Sequence, residues 1–257
     1  MAKTIAERMR DAIRQSGTTD DGVAADDHSG VVRKQISVRG VDALVRVNTS
    51  DAFVVDEVIK GRAYRKLNIK PTDTVLDVGL NIGMFTVWAV QQGAAHVHGF
   101  EPEDDNFAVA THNVLLNDCD DRSTLHKVAV IGNDDSTREL SFNLRKNKGC
   151  HSLIPKRGRT SQTVACKNIN RLIADIKPDL IKIDTEGAEY EILTSMTSFD
   201  GVREIILEFH HAHLNDIKTR TKYNEVCALL RAEFPYVEAR DPDTLGGAWV
   251  TMIYARR

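Results

Sequence analysis

The stretch Thr74-Val75-Leu76-Asp77-Val78-Gly79-Leu80-Asn81-Ile82-Gly83-Met84-Phe85 decides the fold. Val75, Leu76 and Val78 give the aliphatic run of an internal parallel strand, and the residues from Phe85 to Val90 continue as a helix that is apolar on most sides. Between them lie Gly79 and Gly83, which lack a Cβ. The backbone can therefore turn sharply at the carboxyl end of the strand and let a ligand approach the main chain and the helix N-terminus. A second short strand, His96 to Phe100, closes on Glu101-Pro102, and Glu101 follows Asp77 by 24 positions. An acidic side chain at the tip of the second strand, about 20 residues beyond the glycine turn, is where such folds hydrogen-bond the hydroxyls of a ribose.

Leu80, Asn81 and Ile82 do not supply the Gly-x-Gly-x-x-Gly of a dinucleotide site, which makes NAD the weaker reading. A strand-end acid followed by Gly-x-Asn-x-Gly, with no phosphate-binding lysine, suits a zwitterionic nucleoside. Asp77 would face an ammonium group, the backbone of Gly79, Asn81 and Gly83 would accommodate the amino-acid portion, and Glu101 would take the ribose. That is the layout of an S-adenosyl-L-methionine site. Phe107 is placed to cover the adenine or to join the core.

A second constellation, Asp179-Leu180-Ile181-Lys182-Ile183-Asp184-Thr185-Glu186-Gly187-Ala188-Glu189, is again an apolar strand that ends in acids and turns into a helix. Together with the glycine turn, Phe100-Glu101-Pro102 and Ile205-Ile206-Leu207-Glu208-Phe209-His210, it resembles the FkbM family of S-adenosylmethionine-dependent methyltransferases. The resemblance spans roughly residues 53 to 254, and its most specific element is Ile181 to Glu189. It departs at Leu80, where the family more often has a small residue, so the methionine end of the pocket is expected to be reshaped. The resemblance implies a Rossmann-like α/β fold with a seven-stranded, mostly parallel sheet, helices on both faces and a terminal antiparallel hairpin. Strand patterns at 74–78, 96–100, 125–131, 180–184, 205–210, 236–240 and 249–254 match that count, and Glu139 to Leu144 reads as an added edge strand.

At 257 residues, with 42% hydrophobic and 28% charged residues, the composition is that of one globular catalytic domain. No apolar run reaches membrane-spanning length, and residues 1–17 lack the continuous apolar stretch of a signal peptide, so a cytoplasmic protein is expected. The four cysteines are scattered and read as reduced thiols. Residues 1–30 include an acidic, aromatic-free stretch expected to be a flexible linker. Residues 31–70 read as a β-hairpin turning at Arg39-Gly40, then a helix begun by Ser50-Asp51. Residues 71–257 form the catalytic core.

Methyl transfer needs an oriented acceptor and, for a hydroxyl, removal of its proton. Ligands of open α/β sheets sit at the carboxyl ends of the strands, which selects Asp184, Glu186, Glu208 and His210 as catalytic candidates. Asp184 could instead cap a helix, and Glu186 and Glu189 could serve the helix dipole. Asp184, Glu208 and His210 could also hold a divalent metal ion, although their order and spacing do not require one, and no metal is expected. Gly149-Cys150-His151-Ser152-Leu153 resembles a Gly-x-x-Ser-Leu of the family that lies near the acceptor. Its surroundings, Arg145 to Arg159, hold six Lys and Arg residues. Lys146, Lys148, His151 and Ser152 are accordingly expected to bind the acceptor, a small molecule or saccharide with anionic character. A net charge of −3 disfavours nucleic acid as a partner except through that loop.

Overall fold

The computed structural model describes residues 23–24, 32–61, 63–141, 153, 161–210, 217–240 and 250–257. A seven-stranded sheet forms the centre. Its strands are β4 (Thr74–Val78), β5 (His96–Phe100), β6 (Ser123–His126), β10 (Leu180–Ile183), β11 (Glu204–His210), β12 (Tyr236–Ala239) and β13 (Val250–Arg256). They lie in the order β12-β13-β11-β10-β4-β5-β6. Only β13 runs against its neighbours, pairing antiparallel with both β11 and β12, so the terminal hairpin is present as expected. The run from Leu125 to Ile131 is two strands. It breaks after His126, and β7 (Ala129–Ile131) leaves for a small second sheet with β8 (Thr137–Ser141) and β9 (Ser161–Asn168).

Side-chain alternation splits the core into two halves. Val75, Leu180 and Ile206 face one cluster, built with α1 (Asp51–Ile59), α2 (Met84–Gln91) and α3 (Asp104–Leu116). Leu76, Val78, Ile181, Ile183, Ile205 and Leu207 face the other, built with α4 (Ile169–Ile176), α5 (Glu189–Ser195) and α6 (Ile217–Glu233). Parity then places Asp77, Lys182 and Glu208 on the first face, and register sets Lys182 beside Asp77. Asp77, Lys182 and Glu208 are thereby gathered on one face of the three adjacent central strands β4, β10 and β11.

The N-terminal hairpin, β2 (Arg33–Val38) and β3 (Val41–Arg46), is part of that first core. Its turn puts Arg39 at φ 51° and Gly40 at φ 80°, the backbone of a tight hairpin turn. Asn113 of α3 and Asn117, which caps its C-terminus, bind it: Asn113 accepts from the Leu44 amide and Asn117 from that of Asp42. Arg46 and Asp51 form a fully buried pair, and Arg46 also donates to Asn106. Ser50 stands at the start of α1 without capping it through its side chain. The Asp51 amide donates to Thr49 Oγ1 instead. Within the segment read as a linker, Val23–Ala24 form β1 and pair with β2. No helix among the described residues is long and apolar enough to cross a membrane.

Candidate active site

The glycine turn is built by main-chain packing. Gly79 has φ +85°, and a Cβ there would lie 1.7 Å from the Asp184 carbonyl oxygen, so β4 and β10 approach at a point no other residue could occupy. Asn81 also takes a left-handed conformation, at φ 52°. Its amide donates to Glu101 Oε2 (2.9 Å), while the Glu103 amide donates to Oε1 (2.9 Å). Burial pushes the Glu101 carboxyl up to about 7 against those two amides, which favour its charged form. Glu101, Gly79 and Asn81 line one cavity together with Pro102, Asn106 and Val130.

Three expected cofactor ligands are placed differently. Asp77 is fully buried and turned away from the cavity: Thr86 donates to its Oδ2 (2.8 Å) and the Lys182 ammonium stands 3.1 Å from its Oδ1. The aligned hydrogen bond of Lys182 goes to the Gly79 carbonyl (2.6 Å), so Oδ1 is held by charge. Burial opposes the ammonium, but Asp77 and Asp184 outweigh it and raise its pKa. Phe107 is half-buried on α3 and does not line the cavity. Asn106 does, because one helical position is a rotation of about 100°. Gly83, at φ +83°, packs on Ala110 and lines neither cavity. Leu80, the departure from the family pattern, fits over Gly99, where a Cβ would lie 2.8 Å from its Cδ1.

A second cleft of about 290 Å3 opens on the other side of the loop. The two share Asn81, Asp184 and Glu186. Its floor carries Lys182, Asp184, Glu186, Glu208 and His210, and its wall carries Phe53, Val54, Tyr64, Met84 and Val250. All four catalytic candidates thus converge, from the tips of β10 and β11. Tyr64 donates to Glu208 Oε1 (3.3 Å). Burial, then Asp184 and Glu57, push Glu208 up to about 8. Burial also opposes charge on His210, yet the hydrogen bond to Glu189 and the charges of Glu189, Asp184 and Glu186 raise it to about 10.

Glu189, Tyr64, Glu57 and Lys182 are the members that sequence reasoning missed as site residues. Glu189 is more than a dipole partner. Its Oε1 accepts from the Thr185 amide and hydroxyl, from the Gly187 amide and from His210 Nδ1 (3.1 Å). That holds the loop in which Glu186 has φ 55° and Gly187 φ 118°. A signal for Lys182 was present, since it is the lone charge in a strand buried along its whole length. The acceptor candidates Lys146, Lys148, His151 and Ser152 lie outside the described residues. Leu153, beside them in sequence, lines the Glu101 cavity rather than the cleft.

A sheet of this strand order, with a glycine turn after its first parallel strand and an acid at the tip of the next, defines a class I methyltransferase fold. A family model described as the methyltransferase FkbM domain matches residues 77–237, and the chain belongs to that family. It is similar to the 31-O-demethyl-FK506 methyltransferase FkbM of Streptomyces tacrolimicus, at 25% identity over 83% of this chain and 93% of the relative. The hexuronic acid methyltransferase AglP of Haloferax volcanii is 30% identical over 54% of this chain and 56% of its own length. Among solved structures, P. horikoshii TYW2 in complex with MeSAdo aligns at a TM-score of 0.49 and 15% identity, covering 87% of this chain and 70% of that one.

Proposed function

We propose that the chain transfers a methyl group from S-adenosylmethionine to a hydroxyl of a small molecule or saccharide. The observation that carries the reading is the meeting of two cavities at Asn81, Asp184 and Glu186, one with a buried carboxylate and one with a polar floor. When bound, the cofactor supplies an electrophilic methyl group. The residues present fit it. Each Glu101 oxygen takes one backbone amide hydrogen, and with the Asn106 side chain also bonding the carboxyl, lone-pair capacity remains for the ribose hydroxyls. Among the described residues Asn81 Oδ1 is buried without a hydrogen-bond partner, an acceptor suited to the ammonium of the methionine portion that Asp77 was expected to take. Asp77 instead fixes Lys182, which fixes the Gly79 carbonyl.

On the acceptor side, Asp184, Glu186 and Glu208 offer carboxylates to orient a hydroxyl and receive its proton. His210, held by Glu189, positions them. Phe53 is 68% exposed and Val250, which lines the same cleft, 37% exposed, apolar surface on which the carbon face of a saccharide ring would rest. The acidic floor favours a neutral polyhydroxyl acceptor. An anionic one would depend on the basic loop at 145–159. Incubating cell extract with protein and methyl-labelled cofactor tests the function. Label in one hydroxylated metabolite or glycan is expected, and label confined to amines or nucleic acid would replace this reading.

Two consequences follow for binding. The ionised form of Glu101 is the one that accepts both ribose hydroxyls, so affinity for S-adenosylhomocysteine should strengthen as pH rises through about 7. About a tenth of the carboxyls are ionised one unit below that value, hence binding roughly tenfold weaker at pH 6 than at pH 8 by calorimetry. Glu101→Ala should bind weakly at both pH values, and a flat wild-type profile would remove Glu101 from the ribose site. Phe53→Ala should raise the acceptor KM about tenfold, from an aromatic contact of roughly 1–1.5 kcal/mol, while leaving cofactor affinity unchanged. An unchanged KM would place the acceptor elsewhere.

A further inference from the structure

We propose that Asp184, Glu208 and His210 bind one divalent cation, of the Mn2+ or Mg2+ kind, at the floor of the acceptor cleft. One ligand atom from each lies within 4.8 Å of the others. Around an octahedral ion at about 2.1 Å, ligand atoms on opposite sides stand roughly 4.2 Å apart and adjacent ones roughly 3.0 Å, so an ion would draw the three side chains together by about an ångström through side-chain rotation. Such closeness follows from the sheet: Glu208 and His210 are two apart on β11, hence on one face, and Asp184 ends the adjacent parallel strand.

The independent observation is the setting of the imidazole. Glu189 is only 1% exposed, and its Oε1 already accepts from Thr185 and Gly187. Nδ1 of His210, 3.1 Å away, therefore carries its hydrogen and donates it there. Nε2 faces the cleft, 4.0 Å from Asp184 Oδ1 and 3.6 Å from Glu186 Oε2, where a bound cation would take the place of the proton those carboxylates hold on it and release that proton to solvent. A buried carboxylate that fixes one ring nitrogen so the other can ligate is the second layer of a metal-histidine site. Charge points the same way. Glu57, Asp184, Glu186 and Glu208 line the cleft against one lysine, Lys182, whose hydrogen bond goes to the Gly79 carbonyl and whose ammonium stands closer to Asp77 (3.1 Å) than to Asp184 (3.7 Å). Two carboxylates and one imidazole suit Mn2+, with remaining positions left for water or for a pair of acceptor oxygens.

The inference rests on the acceptor reading above and narrows it: the ion would select acceptors that present two adjacent oxygens, such as a vicinal diol or a hydroxyl beside a carboxylate. The test uses the full chain, treated with chelator, titrated with Mn2+ alone and followed by the paramagnetic resonance of free Mn2+. One bound ion per chain is expected, displaced by excess Mg2+. Glu208→Gln should weaken Mn2+ binding at least tenfold, and Glu189→Gln ten- to a hundredfold through the freed ring. Because Glu189→Gln can disturb the loop it closes, Glu208→Gln decides, with retained affinity for S-adenosylhomocysteine as the sign of an intact fold. No Mn2+ binding by the wild-type chain, or binding that Glu208→Gln leaves unchanged, would overturn the site. Mn2+ binding with no affinity for S-adenosylhomocysteine would keep the ion site and remove the methyl-transfer reading.

Discussion

Gly79→Ala is expected to destroy cofactor binding while Gly83→Ala spares it, although both glycines stand at φ near +84° in one turn. A left-handed backbone costs an alanine about 1–2 kcal/mol at either position. The difference lies in what the new methyl meets. At Gly83 it meets Ala110 atoms at 3.1–3.2 Å, which α3 can accommodate by a slight shift. At Gly79 it meets the Asp184 carbonyl at 1.7 Å, main chain against main chain between hydrogen-bonded parallel strands. Relief requires β4 and β10 to separate at their carboxyl ends, where the two cavities join. We expect affinity for S-adenosylhomocysteine to fall more than about a hundredfold, roughly 2.8 kcal/mol. The unfolding midpoint should drop by roughly 5 °C or more, at about 2–4 °C per kcal/mol for a domain of this size. Calorimetric titration of both variants gives the answer, and equal losses at the two glycines would show that φ alone matters.

The parts of the fold legible in the sequence are those where local pattern and tertiary demand agree. Thr74 to Val78 is buried on both faces, so an uninterrupted aliphatic run was its signature, and the turn that follows needed glycine for a steric reason visible in composition. Strand β9 was invisible because Ser161 to Asn168 is half exposed and offers no alternation. The break between β6 and β7 was equally hidden. Val128 donates back to His126, a local turn inside an otherwise apolar run that one reads as continuous.

Site residues divide along the same line. That Asp184, Glu186, Glu208 and His210 share one cleft was legible because they stand at adjacent strand ends, and a strand end can be counted along the chain. The partners of Asp77 were not, since register between β4 and β10 joins residues about a hundred positions apart. A strand-end acid reads as a ligand when its neighbour is unknown. With Lys182 in register beside it, the same acid becomes part of the frame. Of the two readings of Phe107, adenine cover or core, its half-buried place on α3 outside the cavity lies nearer the second, while its neighbour Asn106 lines the cavity.

That frame is where the largest stability effect is expected. Lys182→Met keeps the length of the side chain and removes its charge, leaving Asp77 at 0% exposure with no cation. Thr86 still donates to Oδ2, but Oδ1 is buried with no aligned donor among the described residues. Breaking one side of a buried pair costs about 3–5 kcal/mol, because the surviving charge is neither solvated nor paired. At about 2–4 °C per kcal/mol the midpoint should fall by roughly 6–20 °C. The loss should persist in high salt, since counterions do not reach a buried carboxylate. Adding Asp77→Asn removes the orphaned charge while an amide oxygen can still accept from Thr86, so the double variant should recover most of the stability. It should not recover cofactor affinity, because the Gly79 carbonyl stays without the ammonium that holds it. Thermal unfolding of the two single variants and the double, each with and without S-adenosylhomocysteine, separates the electrostatic cost from the positioning role. A Lys182→Met chain as stable as the wild type would mean that Asp77 is not charged in the fold.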